Sequence, residues 1–347
     1  MNESPKSPWL PRTTLFFLSL LLCAGMSNTT AHAQQTQERM LVPVGRAVGV
    51  KLFSEGLLVT KVTTADGTGK GDSPAQLCGL KEGDLILQFN AEPVDSTEEL
   101  QELLAENGDR AASLTVRRGS RTLELATEPV EAGGCWRLGA WVRDSMAGIG
   151  TVTFYDPQTG DFAALGHGIT DVDTGQLMSL AHGSILPLEV ETVVKGQSGL
   201  PGELRGDFDQ TQELGSLTVN SVCGICGTLT PSAQALYTGE AYPVAKREEI
   251  TEGKATILAN VDGTSVQPYE IVIERVFAGN SSQRSLLLRV TDEALLAQTG
   301  GIVRGMSGSP ILQNGKLVGA VTHVLMDDAS RGYGITIDQM LAISDEA

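Results

Sequence analysis

Long apolar runs are scarce in this 347-residue sequence. The clearest, Leu15 to Met26, is about 12 residues where a bilayer-crossing helix needs about 20, so a permanent membrane span is not expected. Basic residues are also in deficit. Lys and Arg number 25 against 42 Asp and Glu, a formal charge of −17 that repels phosphate backbones and anionic lipid surfaces. Nucleic acid is thereby excluded as a natural partner. Charged residues are only 19% against 41% apolar, and no low-complexity tract interrupts them, which excludes a disordered chain. Cysteine is sparse. Setting Cys23 aside with the N-terminal run leaves Cys78, Cys135, Cys223 and Cys226, too few and too scattered for a disulfide scaffold. Cys223-Gly224-Ile225-Cys226 has redox or half-zinc-site spacing, but no second pair and no βαβ pattern accompany it, so buried thiols or a local disulfide are expected rather than metal. Neither a metal nor an organic cofactor is implied.

Glycine is plentiful, 40 residues, while aromatics are 5%; many tight turns between short strands give the chain a mainly β character. At the N-terminus Lys6 and Arg12 precede the apolar run, and Ala31-His32-Ala33 has the small-x-small form of an export cleavage site. Residues 1–33 read as a signal peptide and Gln34 as the first mature residue, with a transient anchor as the alternative. Residues 34–131 read as a short linker and a small α+β module. Leu57 to Val62 and Asp84 to Asn90 are strand-like, and Ser113 to Arg118 pairs with Arg121 to Thr127 across Gly119-Ser120. Between them Ser96 and Glu99 form a capping box for a helix with an apolar face of Leu100, Leu103 and Leu104, ended by Asn107-Gly108. Glu131-Ala132-Gly133-Gly134 breaks the pattern and is taken as the boundary of a second domain over 132–347, mostly β and suited to barrels or a sandwich.

Chemistry concentrates in Gly305-Met306-Ser307-Gly308-Ser309-Pro310. Glycines around Ser307 permit a sharp turn that exposes Oγ and lets the Gly305 and Ser307 amides converge on an oxyanion. A hairpin follows at Asn314-Gly315, as in chymotrypsin-like proteases, which carry a similar Gly-x-Ser-Gly-x-Pro before their pocket strands. A nucleophilic serine needs a base, and the sequence has four histidines, one of them His32. His167, between glycines after a strand, is the candidate; His323 reads as a packed or pocket-wall residue, and His182 has no distinguishing context. Asp171 and Asp173 are carboxylates near His167, though Asp-x-Asp beside Thr174-Gly175 also reads as a turn. Thr291-Asp292-Glu293 reads equally as a helix N-cap.

Two resemblances carry these residues further. Ser73-Pro74-Ala75 with Cys78-Gly79-Leu80-Lys81-Glu82-Gly83-Asp84-Leu85-Ile86-Leu87 resembles a PDZ domain of the bacterial protease type, which implies a peptide laid between the Ser96 helix and the strand around Gly49, Val50, Lys51 and Leu52. Arg143-Asp144-Ser145, Gly148 to Tyr155, Leu165-Gly166-His167, Thr299 to Pro310, Gly319 to Val324 and Gly332-Tyr333-Gly334 are similar to the SpoIVB peptidase family. That resemblance implies a chymotrypsin-like double β-barrel behind a PDZ domain, with Ser307 as nucleophile, His167 as base, Asp292 as acidic partner and Thr322 in support. It further implies export, self-cleavage and, in a sporulating cell, work in the space between forespore and mother-cell membranes. There the substrate would be a membrane-bound inhibitory protein controlling an intramembrane metalloprotease and a late sigma factor. A non-catalytic peptide-binding regulator and a general quality-control protease are the alternatives.

Overall fold

A computed structural model describes residues 38–65, 72–278 and 284–345 together with Met1. The expected export segment and its cleavage point lie outside these residues. Among the described residues no helix is long and apolar enough to cross a membrane.

Two strands organise the N-terminal half. After β1 (Met40–Pro43) comes β2 (Ala47–Val62), sixteen residues long, buried without a break over Ala47–Val50 and Gly56–Val59 and on alternate positions between them. A short helix α1 (Pro74–Leu77) follows, capped by Ser73 and Gln76, then β3 (Leu85–Phe89), β4 (Glu92–Pro93) and α2 (Thr97–Asn107). The capping box predicted for α2 is present, with Ser96 accepting from the Glu99 amide and Gly108 ending the helix. The hairpin of β5 (Ala112–Arg118) and β6 (Arg121–Thr127) forms in the expected register. A second small hairpin, β7 (Val130–Ala132) and β8 (Cys135–Arg137), leads into β9 (Ala140–Tyr155), also sixteen residues.

β9 pairs with β2 along nearly its whole length, from Ala140 opposite Val62 to Thr151 opposite Ala47. One end of this ribbon joins β3, β5 and β6 under α2, making the α+β module with a core of Leu57, Ile86, Phe89, Leu100, Leu104 and Leu114. Its other end belongs to a barrel completed by β10 (Asp161–Ala164), β11 (His182–Pro187), β14 (Gly215–Ser221) and β15 (Gly224–Leu229), with the hairpin β12 (Thr192–Val194) and β13 (Glu203–Arg205) lying between β11 and β14 in sequence. The ring runs β9, β10, β15, β14, β11, β2 and closes through the β2–β9 pairing. After α3 (Pro231–Leu236), β16 (Tyr242–Pro243) joins β1 at the edge.

The second barrel follows without interruption: β17 (Gly253–Asp262), β18 (Ser265–Val276), β19 (Leu286–Val290), β20 (Pro310–Gln313), β21 (Lys316–Leu325) and β22 (Asp328–Thr336). α4 (Glu293–Thr299) precedes the Ser307 turn, and the C-terminal α5 (Ile337–Ser344) packs Ile337, Met340 and Leu341 with Phe154, Ala163 and Cys226 of the first barrel and Leu317, Ala320 and Ile335 of the second. The chain is therefore mainly β, with two six-stranded barrels and a small α+β module.

The glycines of the expected boundary, Gly133 and Gly134, have positive φ, 67° and 81°, and form the two-residue turn between Ala132 and Cys135. The first barrel uses strands from both sides of Glu131, so the module is set between two of its strands. For the same reason Gly49, Val50, Lys51 and Leu52 cannot accept a peptide strand. They face Leu186, Ile185, Ser184 and Gly183 of β11 on one side and Ile149, Gly148, Ala147 and Met146 of β9 on the other, which leaves no free edge.

Candidate active site

Ser307 stands where the barrels meet, on the turn between α4 and β20. Thr151 of β9 holds that turn from the first barrel: its amide donates to Ser307 O at 2.9 Å and its hydroxyl to Gly305 O at 2.7 Å. Gly308 lets the two backbones touch. Its φ is +100°, and a Cβ there would overlap the Thr151 carbonyl oxygen and come within 2.6 Å of Leu165 N. From the second barrel, Gly308 N donates to Val321 O and Val321 N to Ser309 O.

The Arg304–Gly305 peptide is oriented by β13. Leu204 N donates to Arg304 O and Arg304 N to Gly202 O, each at 2.8 Å. Gly305 N therefore points opposite Leu204, because the amide and carbonyl of a trans peptide are antiparallel. Among the described residues neither Gly305 N nor Ser307 N donates to a backbone carbonyl, so both remain available for an acceptor. Ser307 Oγ donates to Thr322 O at 2.7 Å. Its proton is directed at β21 and not at an imidazole.

His167 follows β10 after Leu165 and Gly166, both at positive φ, 69° and 68°. Gly166 is needed for contact as well as conformation, since a Cβ there would lie 2.8 Å from Thr322 Cγ2. The His167 ring sits 5.1 Å from that of His323, centroid to centroid. His167 Nδ1 lies 3.0 Å from Gly168 O; a carbonyl can only accept, so Nδ1 carries the hydrogen and Nε2 has the lone pair a base needs. Burial lowers the His167 pKa below 6.5, with the Gly168 carbonyl pulling it upward in part. Burial, then His167 and Arg284, bring His323 down to about 4. Both rings are neutral near pH 7.

The carboxylates lie elsewhere. Asp292 caps α4, accepting from Leu295 N at 3.0 Å and from Glu270 N at 3.3 Å. Asp171 is buried, ion-paired with Arg143 and bonded by the Asp173 and Thr174 amides and the Thr174 hydroxyl. Burial raises its pKa, but the Thr174 bonds and then Arg143 outweigh it and hold the group below the ordinary value. Asp173 pairs with Arg143 at 2.9 Å. The site thus gathers Ser307, Gly305, Thr322 and His167, and adds His323, whose buried Nδ1 has no partner; it does not bring Asp292, Asp171 or Asp173 to the imidazoles by any hydrogen bond among the described residues. His182 instead stacks on Phe53, 4.5 Å away. Thr151 went unnoticed in the sequence because nothing local distinguishes it from its strand neighbours.

The His167 loop also rests on the α+β module. Met178 is buried with Leu52, Leu58 and Leu85, and Gln176 lies against Gly83, where a Cβ would overlap its side chain. The cysteines at 78, 135, 223 and 226 are free; burial pushes Cys226 up to about 12, so it is an inert thiol near neutral pH.

Residues 134–341 match the family described as SpoIVB peptidase S55, and residues 68–118 match the PDZ domain. No curated protein matches the sequence. Among solved structures, the PDZ domain of an SdrC-like protein from Listeria monocytogenes is 19% identical over 25% of this chain and 87% of its own, with a TM-score of 0.22. The Rv3671c protease in its inactive form is 13% identical over 58% and 84%, TM-score 0.32, and the HtrA-type protease AlgW with a decapeptide 8% identical over 88% and 65%, TM-score 0.34. At these scores the likeness assigns no residue a role. The family match spans more than half of the chain and includes the whole Ser307 site, so the chain belongs to the SpoIVB peptidase S55 family, as a serine endopeptidase carrying a PDZ domain.

Proposed function

We propose that the protein is an exported endopeptidase that makes limited signalling cleavages, with Ser307 as nucleophile and His167 as base. The observation that supports this is a serine turn with two amides free of backbone acceptors, bonded through Ser307 Oγ to Thr322 O on the strand whose next residue, His323, has its ring 5.1 Å from that of His167. For reaction the Ser307 hydroxyl turns from Thr322 O toward His167 Nε2. Oγ then attacks the scissile carbonyl carbon as its proton passes to Nε2, and Gly305 N and Ser307 N hold the oxyanion. The imidazolium returns the proton to the leaving amine, and water, deprotonated by His167, releases the acyl group. The Gly168 carbonyl does the orienting that a carboxylate does elsewhere, accepting from Nδ1–H throughout.

The proposed substrate, in keeping with family membership, is a membrane-bound inhibitory protein that restrains an intramembrane protease, cut outside the cytoplasm, in a sporulating cell between the forespore and mother-cell membranes. Self-cleavage accompanies it. The test uses the chain from Gln34 onward and its Ser307→Ala variant, followed for self-cleavage and for labelling by a fluorophosphonate. Labelling and trimming of the native chain alone support the reading; identical behaviour of two folded chains refutes it and leaves a peptide-binding regulator. Degradation of unrelated unfolded proteins, in place of one or two discrete cuts, would mark a quality-control protease.

A further inference from the structure

Two neighbouring residues of β21 face the first barrel. Val321 and Val324 pack into the core of the second barrel, and the register shift between Val321 and His323 turns both Thr322 and His323 outward, as a bulge does when it re-aims a side chain. Thr322 meets the Gly166 turn, and His323 meets the His167 ring at 5.1 Å between centroids.

The two nitrogens of His323 are not equivalent. Among the described residues its side chain makes no hydrogen bond, and only Nδ1 is sealed from solvent. The ring is neutral near pH 7 and so carries one N–H. That hydrogen belongs on Nε2, where water can accept it, because on Nδ1 it would be buried without an acceptor. His323 thus presents a donor to the cleft beside the catalytic imidazole.

Two further groups stand next to it. Tyr333 of β22 lies directly opposite His323 in the ladder. Gly332 and Gly334 point inward, since a Cβ on the first would meet Ile302 and on the second Leu288 and Ile311, so the residue between them points outward with His323. The Tyr333 hydroxyl makes no hydrogen bond among the described residues and reaches solvent. Arg284, exposed just before β19, lays its guanidinium over the Tyr333 ring, 5.0 Å from the centroid. Its charge is also felt at His323, as one of the causes that lower that pKa after burial and His167. Farther along the face Arg289 and Arg331 share the Glu274 carboxylate, and Asp328 accepts from Ser330. In a chain of formal charge −17, this face is locally basic, with the arginines outnumbering Glu274 and Asp328.

We propose that His323 Nε2–H, the Tyr333 hydroxyl and the Arg284 guanidinium form a carboxylate subsite that selects substrates with an Asp or Glu side chain close to the scissile bond. This rests on the reading of Ser307 as nucleophile. The His323 ring is in contact with that of His167, whose Nε2 must come within about 3 Å of Ser307 Oγ for reaction; at about 3.3 Å per extended residue the selected side chain belongs to one of the two residues on either side of the cut. All three groups can donate, and one is a cation. A lysine there would be repelled by Arg284, and an apolar side chain would cover Nε2–H and the hydroxyl without replacing their bonds to water. A carboxylate satisfies all three.

The test places Glu, Gln or Lys at each position around the cut in one cleavable peptide. At one position within about two residues of the cut, kcat/KM should be about tenfold higher for Glu than for its isostere Gln, on the order of one charge-assisted hydrogen bond, and lower still for Lys. Because Arg284 is exposed, added salt should shrink the Glu-to-Gln ratio in the native enzyme. Arg284→Gln should bring that ratio close to one, and Arg284→Glu should turn the preference toward Lys, an inversion that a merely structural role does not produce. Tyr333→Phe keeps the ring beneath Arg284 and should lower the ratio severalfold. Fluorophosphonate labelling reports whether the site is assembled in each variant. A ratio near one at every position, or one that persists in a labelling Arg284→Gln variant, overturns the subsite alone. Absence of labelling in the native chain overturns the reading of Ser307 beneath it.

Discussion

Thr151→Val tests whether the first barrel shapes the oxyanion site. The substitution keeps the branched side chain and the amide bond to Ser307 O, and removes only the 2.7 Å bond to Gly305 O. Thr151 and Gly305 are both buried, so water does not replace the donor and the carbonyl is left unsatisfied, at about 1–3 kcal/mol. If the turn keeps its place in the resting enzyme and shifts only when the oxyanion forms, that cost appears as a roughly fivefold to 150-fold fall in kcat/KM. If the turn relaxes in the resting enzyme, the melting temperature falls by a few degrees instead. Peptide cleavage and a thermal melt together read both. A variant within twofold of the native kcat/KM and with an unchanged melt would refute the idea that Thr151 holds the Gly305 carbonyl.

The base must be neutral, and burial keeps His167 below 6.5; the pH–rate profile should stay flat as pH falls past 6.5 and decline only through the lower folded value, and a midpoint at or above 6.5 would contradict this. Both half-buried imidazoles resist protons that the unfolded chain accepts, so stability should fall as pH drops below 6.5, read by denaturant melts between pH 7 and 5. Gly308→Ala should abolish labelling of Ser307 and destabilise the chain by about 2–4 kcal/mol through strain and overlap with Thr151. Gly315→Ala, at φ +74° with open space around it, should cost about 1 kcal/mol and leave labelling intact. Asp292→Asn should keep the α4 cap, the melt and the activity, while Asp292→Ala loses about 1 kcal/mol of stability; an inactive but stable Asn variant would place that carboxylate in the catalytic group after all.

Local chemistry was readable and long-range pairing was not. The Ser96 capping box, the Gly119-Ser120 and Asn314-Gly315 turns and the glycines around Ser307 all act within a few residues, and each stands where its pattern predicts. Closure of the first barrel depends on β2 meeting both β9 and β11, about a hundred residues or more away in sequence, and no periodicity encodes that partnership. The same gap misplaced Gly49 to Leu52, whose alternating apolar residues suit a peptide-binding edge as well as a buried strand. Gly133-Gly134 suits a linker and a two-residue hairpin turn equally, and only the pairing of Ala132 with Cys135 decides. His323 was legible as a pocket residue but not as the neighbour of His167, since that contact forms between barrels.

The shared strands β2 and β9 also bear on how the molecule can be divided. Most appended modules hang from a linker that can be cut or swapped. Here a fragment ending at Glu131 would strip β2 of its β9 partner over Leu58 to Val62, exposing the kind of bare edge that invites aggregation. Force applied to the PDZ module would travel along a hydrogen-bonded ribbon directly to Thr151. The two parts are therefore mechanically one body: a partner that pulls on the peptide-binding end pulls on the turn that carries the serine.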